Sequence, residues 1–398
     1  MKQRRGASIR LACALALTAM LVFVFSPGPA RAIDLTFSGS EQLDYFLALP
    51  QPIGSRPLTS GLYGFTNETA VKIAADLNAH ISVNVKACVG CHGFELPMAF
   101  ADLRIVDELN IRVGRFTPAF GGYYLRADVG NHRTSDAPLP YDMGRMIRLW
   151  EFNLSVLPQP YVENGIEISG THFFGNRVQL DYAAHLVTGL RSNAEQPYDV
   201  DFAASHSAFY IDNNLSPSYG GRLGANIRLA DRVDFTMGVS ASRGAYDQDA
   251  RYNYLLLGVD AFLRVGRTSL RAEYLLRQTE MAGGDQSRFE GVLPHEADGS
   301  LAAVVPSVRD GWYVELEHPL NRVVDVVLRW DGLHRVGNVA PGSSIDFDAG
   351  ISRWTLGANF IVYRGYRIKA SVEHYYFWGL RNELPMAAGF HLAAVATF

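Results

Sequence analysis

Apolar and polar residues alternate with a period of two along much of this chain. Val324, Val326 and Leu328 alternate with Asp325 and Arg329. The same alternation recurs in three other segments, at 178–184, 233–240 and 366–373. Successive side chains of a β-strand point to opposite faces, so each segment predicts a strand with one apolar and one polar face. The pattern indicates an all-β protein, and alone it fits a soluble sandwich as well as a barrel.

Short polar turns and long polar connections follow one another along the chain. The short turns are predicted at 76–78, 107–110, 175–176, 230–232, 266–267, 319–321 and 364–365. The long connections are predicted near 120–163, 189–221, 280–308 and 335–351. Short turns at one end and long loops at the other are typical of transmembrane antiparallel β-barrels. Seven turns join fourteen strands, and one further strand at each end gives sixteen. The first strand lies somewhere in 34–62, and a count of fourteen is the alternative.

The end of the chain also indicates a barrel. Phe390, Leu392, Ala394, Ala396 and Phe398 share one face of a predicted strand, and the chain ends on Phe398. A terminal aromatic residue on an alternating strand resembles the insertion signal of outer-membrane barrels. Aromatic residues near the loop-side strand ends predict an interfacial girdle, formed by Tyr252, Tyr254, Trp312, Tyr313, Tyr375, Tyr376, Phe377 and Trp378.

The N-terminal segment predicts export. Four basic residues precede an apolar stretch at 11–25, and Ala30-Arg31-Ala32 fits the cleavage rule for a secretory signal peptide. Residues 1–32 are therefore predicted to be removed, leaving one barrel at 33–398. Their loss removes five basic residues and changes the formal net charge from −4 to −9. An acidic mature chain argues against nucleic acid as a partner. The predicted location is the outer membrane of a Gram-negative bacterium, in contact with its lipid and lipopolysaccharide.

One hairpin resembles a known family of porins. The run from Ala99 to Gly121 contains Arg112-Val-Gly-Arg-Phe116 and Pro118-Ala-Phe-Gly121 after an acidic turn. This form, R-V-G-R-F-x-P-x-F-G, is similar to a hairpin of the phosphate-selective (O/P-like) porins. The resemblance covers roughly twenty residues, and elsewhere only the architecture agrees.

The resemblance implies a sixteen-stranded, trimeric diffusion channel narrowed by a loop that folds into the lumen. The third outer loop, 120–163, is expected to fill that role. Its charged residues are predicted to line the pore constriction: Arg126, Asp128, Arg133, Asp136, Asp142 and Arg145. The alternative is a solvated surface loop. Phosphate selectivity is not carried over, because the mature chain retains only Lys72, Lys86 and Lys369 as lysines.

A second motif, Cys88-Val-Gly-Cys91-His92, is the candidate for cofactor chemistry. C-x-x-C-H is the attachment signature of c-type haem, in which two thiols form thioether bonds and the histidine binds the iron. His92 is thus the predicted metal ligand, and Met98, His132 and His80 are candidates for the sixth position. Two alternatives stay open. In an oxidising compartment the two cysteines also fit a disulfide, and a small metal site would need further ligands.

These features favour two functions. The first is a porin-like channel for passive diffusion of small hydrophilic solutes. The second is a haem-bearing or cytochrome-sheathing barrel that transfers electrons across the outer membrane with periplasmic or surface c-type cytochromes as partners. An enzyme is not expected, because histidines such as His172, His185 and His374 show no convergent pattern in the sequence.

Overall fold

Sixteen β-strands make up the structure, a computed structural model. It describes residues 33–49, 64–90, 93–124, 128, 130–141, 155–157, 161–192, 210–282, 298, 300, 303–335, 345–380 and 387–398. The first eight strands are β1 (Asp34–Leu49), β2 (Gly64–Asp76), β3 (Ile81–Gly90), β4 (Gly93–Val106), β5 (Leu109–Phe116), β6 (Glu163–Phe174), β7 (Val178–Val187) and β8 (Ser218–Ala230). The second eight are β9 (Val233–Ala245), β10 (Asn253–Val265), β11 (Thr268–Ala282), β12 (Val304–Pro319), β13 (Val324–Arg335), β14 (Ile345–Tyr363), β15 (Tyr366–Leu380) and β16 (Ala387–Thr397).

The strands form one closed antiparallel barrel. Each strand pairs with its neighbours in sequence, and β1 pairs with β16 to close the sheet. The closing seam includes the last residue: Gly39 N donates to Phe398 O at 3.0 Å and Phe398 N donates to Gly39 O at 3.1 Å. The Phe398 ring occupies the space where a Cβ of residue 39 would lie, so this close approach requires glycine. The predicted count of sixteen is confirmed, and the alternative of fourteen is wrong.

Turn lengths differ between the two ends of the barrel, as predicted. At one end the connections are 77–80, 107–108, 175–177, 231–232, 266–267, 320–323 and 364–365. We call this the short-turn end and the opposite end the long-loop end. All but one of the connections at the long-loop end exceed five residues, and the exception joins β3 to β4 through residues 91–92. The third of these connections, 117–162, joins β5 to β6.

Burial in the strands is the reverse of burial in a soluble protein. Leu328 is 45% exposed, whereas the adjacent Arg329 is 1% exposed. Leu356 and Thr355 show the same contrast, at 63% and 0%. In both pairs the apolar side chain faces outward and the polar one faces inward. An apolar outer surface around a polar interior is the arrangement of a membrane-spanning barrel, and it excludes the soluble sandwich.

The predicted aromatic girdle is only partly present. Of the predicted residues, Tyr376 is exposed on the outer wall and Trp312 packs edge-on there against Trp330 at 5.9 Å. Trp330, which was not predicted, stacks on Trp354 with ring centroids 5.4 Å apart. Four of the predicted girdle residues instead face inward and are at most 4% exposed: Tyr252, Tyr254, Tyr313 and Tyr375. Their assignment to a lipid interface is therefore wrong. Alternation distinguishes the two faces of a strand. It does not show that an apolar segment inside the barrel packs against some inward-facing side chains.

Two further observations concern the membrane. Among the described residues, no helix is long and apolar enough to cross a membrane. The predicted signal peptide, residues 1–32, lies outside the described residues, so its removal stays a prediction.

Candidate functional site

The described residues of the segment 117–162, which we call the lumen loop, enter the barrel directly from β5. β5 is only eight residues long and ends at Phe116. The backbone of the next residues then crosses the lumen from wall to wall. Ala119 N donates to Glu167 of β6 at 2.8 Å, and Gly122 N donates to Glu273 of β11 at 2.9 Å. These loop residues pair with no neighbouring strand, so their backbone N–H groups need other acceptors. The carboxylates of Glu167 and Glu273 on the wall accept their hydrogen bonds.

Glycine permits this crossing at its closest point. Gly121 has a φ of +64°, and a Cβ there would overlap the carboxylate of Glu273. Its N–H donates to Ser240 Oγ at 2.9 Å. Both the left-handed backbone and the close approach require a residue without a side chain. The P-x-F-G ending of the porin-like hairpin therefore marks the turn into the lumen.

An aromatic core holds the lumen loop against the barrel wall. Tyr123 and Tyr141 of the loop stack with centroids 4.4 Å apart. The Tyr141 hydroxyl donates to Glu273 Oε1 at 2.6 Å. Burial, together with the nearby Glu273 carboxylate, raises the pKa of Tyr141 well above its ordinary value, so the hydroxyl keeps its proton. The core is completed by buried loop and wall residues: Phe120, Tyr124, Leu139, Val156, Leu157, Tyr161, Leu190, Tyr246, Tyr252, Tyr254, Leu256, Leu275, Tyr313, Leu333, Ile351 and Tyr375.

A buried charge cluster anchors the same loop beside this core. Asp136 forms ion pairs with Arg329 of β13 and with Arg353 of β14, the latter at 2.8 Å. Asp331 accepts from Arg353 Nε at 3.0 Å and from the backbone N–H of Leu139 at 3.0 Å. Burial opposes the charge on Asp136, but the two guanidinium groups outweigh it and hold the pKa of that carboxyl far below its usual range. Asp136 therefore stays ionised and binds the loop to two strands.

The cluster continues across the barrel seam. Arg353 lies 3.7 Å from Glu373 of β15, and Glu373 lies 3.6 Å from His391 of β16. His391 Nδ1 is 2.8 Å from Asp44 Oδ2 on β1. Acidic and basic groups thus alternate over four adjacent strands, which is how buried charges satisfy one another.

The loop also reaches toward the short-turn end. Gly130 O accepts from Arg367 at 2.7 Å, and Arg133 lies 3.2 Å from Asp325. Thr134 O accepts from Lys369 Nζ at 3.2 Å. The loop therefore spans a large part of the lumen height along the wall formed by β13 to β16.

Partly accessible charges inside the barrel also lie along β3 to β5, which follow the seam strands β1 and β2 around the barrel. Lys86 of β3 forms an ion pair with Asp128 of the lumen loop, and 49% of the Asp128 side chain is exposed. Arg112 of β5 is 27% exposed, donates to Asp102 at 2.8 Å and stacks on Phe100 at 4.3 Å. Arg329 and Arg353, by contrast, are almost completely covered. Arg112 and Asp128 are therefore accessible from the lumen beside the loop.

The predicted constriction residues divide into three groups. Asp128 lies at the accessible side, paired with Lys86, and Arg133 is 30% exposed near the short-turn end. Asp136 is sealed from solvent, so it serves as an anchor instead of lining a constriction. Three predicted residues lie outside the described residues: Arg126, Asp142 and Arg145.

The C-x-x-C-H motif lies at the tight hairpin between β3 and β4. Gly90 pairs with Gly93 across this hairpin, so two residues connect the strands. Cys88 is half-buried on the face of β3 that also carries Lys86, within electrostatic range of Glu68, Glu95 and Asp128. Cys91 and His92 lie outside the described residues. Among the residues that are described, no group of three His, Cys, Asp or Glu side chains is arranged to hold a metal ion.

The three candidates for a sixth haem ligand have different positions. His132 belongs to the lumen loop and stacks on Tyr123 at 4.9 Å, and Met98 packs against the cluster of Phe100 and Phe116. His80 lies at the short-turn end, where its ring nitrogen is 2.8 Å from Arg104 O. The ten residues of β3, roughly 30 Å at about 3.3 Å per residue, separate His80 from the motif. His80 is therefore a wrong candidate.

Sequence reasoning missed the anchoring partners on the wall. Arg329, Arg353 and Glu273 were visible only as polar positions of alternating strands. A signal was available: once a barrel is assumed, a charged residue at an inward strand position predicts a partner inside the lumen. The sequence does not show which loop residue each of them contacts, because the partners are more than 130 positions apart.

Comparison with known proteins supports the fold. No family model and no curated protein matches the chain. Among solved structures, an anion-selective porin from Comamonas acidovorans superposes with a TM-score of 0.55 at 13% identity, covering 92% of this chain and 100% of that one. The outer-membrane channel DcaP of Acinetobacter baumannii gives 0.52 at 10% identity, covering 94% and 99%. The outer-membrane protein OmpT of Vibrio cholerae, without its loop L8, gives 0.52 at 10% identity, covering 92% and 100%.

The fold is that of an outer-membrane porin-like barrel. The comparisons confirm the predicted barrel fold, and the predicted location in a Gram-negative outer membrane agrees with that fold. Identities of 10–13% show a shared architecture alone. The resemblance of residues 99–121 to the O/P-like porins stays a prediction.

Proposed function

We propose that this protein is a porin-like channel of the outer membrane for passive diffusion of small hydrophilic solutes. The observation that carries the proposal is the closed barrel whose wall carries inward charges, in which the lumen loop covers part of the wall and leaves accessible charges beside β3 to β5. Solutes would pass between the loop and β3 to β5. Residues of both signs, including Lys86, Arg112 and Asp128, border this path, as expected for a filter that discriminates by charge.

We extend the proposal to assembly and surroundings. The outer wall would contact lipid and lipopolysaccharide, and the barrel would form a homotrimer. A trimer form is described for OmpT of Vibrio cholerae, which superposes with a TM-score of 0.51. No catalytic role is proposed.

Conductance tests the channel. In planar bilayers the purified protein should give stepwise currents that rise linearly with voltage. Arg112→Glu should shift ion selectivity toward cations, measured as the reversal potential in a salt gradient. One unit charge at about 4 Å is worth about 1 kcal/mol in bulk water, or about fivefold in relative permeability, and Arg112→Glu changes two units.

The matched control is Arg267→Glu in the exposed turn between β10 and β11, outside the lumen. It should leave the reversal potential unchanged. A properly folded barrel that never conducts would contradict the channel proposal. Conduction with no difference between the two variants would contradict a path beside β5.

A second proposal concerns the C-x-x-C-H motif. We propose that Cys88 and Cys91 bind one c-type haem, each thiol adding across a haem vinyl group so that an S–C bond forms and the proton passes to the vinyl carbon. His92 would bind the iron, and His132 or Met98 would supply the sixth ligand. Two observations support this: Cys88 lies on the inward face of β3, and the Lys86–Asp128 ion pair brings the lumen loop beside it.

A peroxidase haem stain of denatured protein tests this second proposal, using a host competent for cytochrome c maturation. The wild type should retain haem, and Cys88→Ala should reduce the stain severely, whereas Ser82→Ala on the same strand face should not. Covalent haem would direct attention to partner cytochromes and electron transfer. A disulfide, seen as no haem and no titratable thiol, would contradict it, and so would two free thiols.

A further inference from the structure

A broad groove crosses the outer wall of the barrel over β7 to β11. Its volume is about 1050 Å³. The floor consists of small residues at adjacent outward positions, Ala184, Gly221 and Ala241, and the rims carry larger exposed residues such as Leu223 and Val259. This wall faces outward, away from the lumen loop and from the solute path.

The shape of the groove is built into the strand pairing. A Cβ at Gly221 would overlap the carbonyl oxygen of Ala183 on the neighbouring strand. The close approach of β7 and β8 thus keeps this position free of a side chain. The accessible surface of the groove is almost entirely apolar, so the groove is suited to hydrocarbon chains.

One charged residue stands at the end of the groove nearest the long loops. Arg243 is exposed on the outer face of β9 and pairs in register with Tyr219 and Leu255. It is the eleventh residue of a strand that starts at Val233, and about 9–11 tilted residues cross a membrane. Arg243 therefore lies at the level of the lipid headgroups. Within the described part of the chain, no acidic side chain forms an ion pair with it.

We propose that this groove binds lipopolysaccharide, with acyl chains along Leu223, Ala241 and Val259 and a headgroup phosphate on Arg243. An arginine guanidinium binds phosphate in a bidentate manner. Long loops of outer-membrane barrels lie on the extracellular side, so the lipid beside Arg243 is that of the outer leaflet. A groove that extends over five strands matches a lipid with several acyl chains. The inference rests on the outer-membrane location and not on channel activity.

Lipid retained by the full-length protein tests the proposal. The protein is extracted from outer membranes in mild detergent, and lipopolysaccharide per barrel is measured by native mass spectrometry during stepwise detergent exchange. Arg243→Ala should weaken retention about fivefold, corresponding to about 1 kcal/mol for one basic residue at an anionic surface. Ala241→Trp, which fills the floor of the groove, should lower retention as well.

Two controls separate the groove from general lipid contact. Arg251→Ala removes another exposed arginine near the long-loop end, one that pairs with Asp249 at 3.7 Å. Ala358→Trp adds the same bulk on the outer face of β14. Both should retain lipopolysaccharide like the wild type, and all variants should show the β-sheet circular dichroism of the folded barrel. Equal retention by all four variants would overturn the proposal. Preferential retention of phosphatidylglycerol would also overturn it, as would a groove variant that dissociates an oligomer without losing lipid.

Discussion

Asp136→Ala lowers the free energy of unfolding by about 3–5 kcal/mol, the usual result when one partner of a buried ion pair is removed. The substitution leaves Arg329 and Arg353 covered by the lumen loop without the carboxylate that joins them. Asp331 and Glu373 still neutralise part of that charge. They cannot replace the attachment, because both belong to the wall, whereas Asp136 is the described loop residue that contributes a charge to this cluster.

The same variant should change the pore. A loop detached from β13 and β14 has more positions available, so single-channel currents should be larger and noisier than in the wild type. Unfolding is measured by urea titration in lipid vesicles, and current in planar bilayers. Asp128→Ala is the matched control: its partner Lys86 is partly exposed, and pairs of that kind contribute about 0–1 kcal/mol. Equal destabilisation by the two substitutions would argue against the anchor.

The ion pairs of Asp136 should break only at a pH well below the ordinary pKa of aspartate. The pKa of Asp136 is depressed in the folded protein, so its stabilising effect is complete above the ordinary aspartate pKa, near 3.9, and is lost as pH falls toward the lower folded value. The wild type should therefore keep its quiet, low current through mildly acidic solution. Noise like that of Asp136→Ala should appear only in strong acid.

The architecture was predictable from the sequence because strand pairing is largely local. Each short turn joins strands that are neighbours in the barrel, so alternation and turn spacing define the order, the count and the two ends. The seam is the exception. The alternation before Phe398 predicts a last strand, but its partner Gly39 lies at the other end of the chain.

The inside of the barrel was not predictable in the same way. The loop sequence around Asp136 shows charges of both signs, and such a stretch also fits a solvated loop. Its role depends on Arg329 and Arg353, nearly two hundred residues or more away. The sequence also predicts Tyr313 and Tyr375 at the lipid interface, because it does not show that the lumen loop packs against them from inside. An inward aromatic residue is informative only when the loop that covers it is known.

Tyr141→Ala should loosen the other attachment of the lumen loop. The side chain is fully buried, stacks on Tyr123 at 4.4 Å and donates to Glu273 at 2.6 Å. Removing a large buried aromatic group costs about 3–5 kcal/mol through lost burial and the cavity that remains. Glu273 also loses one hydrogen-bond donor, although Gly122 N still donates to it.

Tyr141→Phe separates the two contributions, since it keeps the ring and removes only the hydroxyl. Its expected cost is about 1–3 kcal/mol, because the buried acceptor is left with fewer donors. If packing attaches the loop, Tyr141→Ala should increase single-channel current and Tyr141→Phe should leave it near the wild-type value. Equal currents in both variants, each above the wild type, would mean that the hydrogen bond to Glu273 holds the loop. The aromatic core would then fill the lumen without fixing the width of the path beside it.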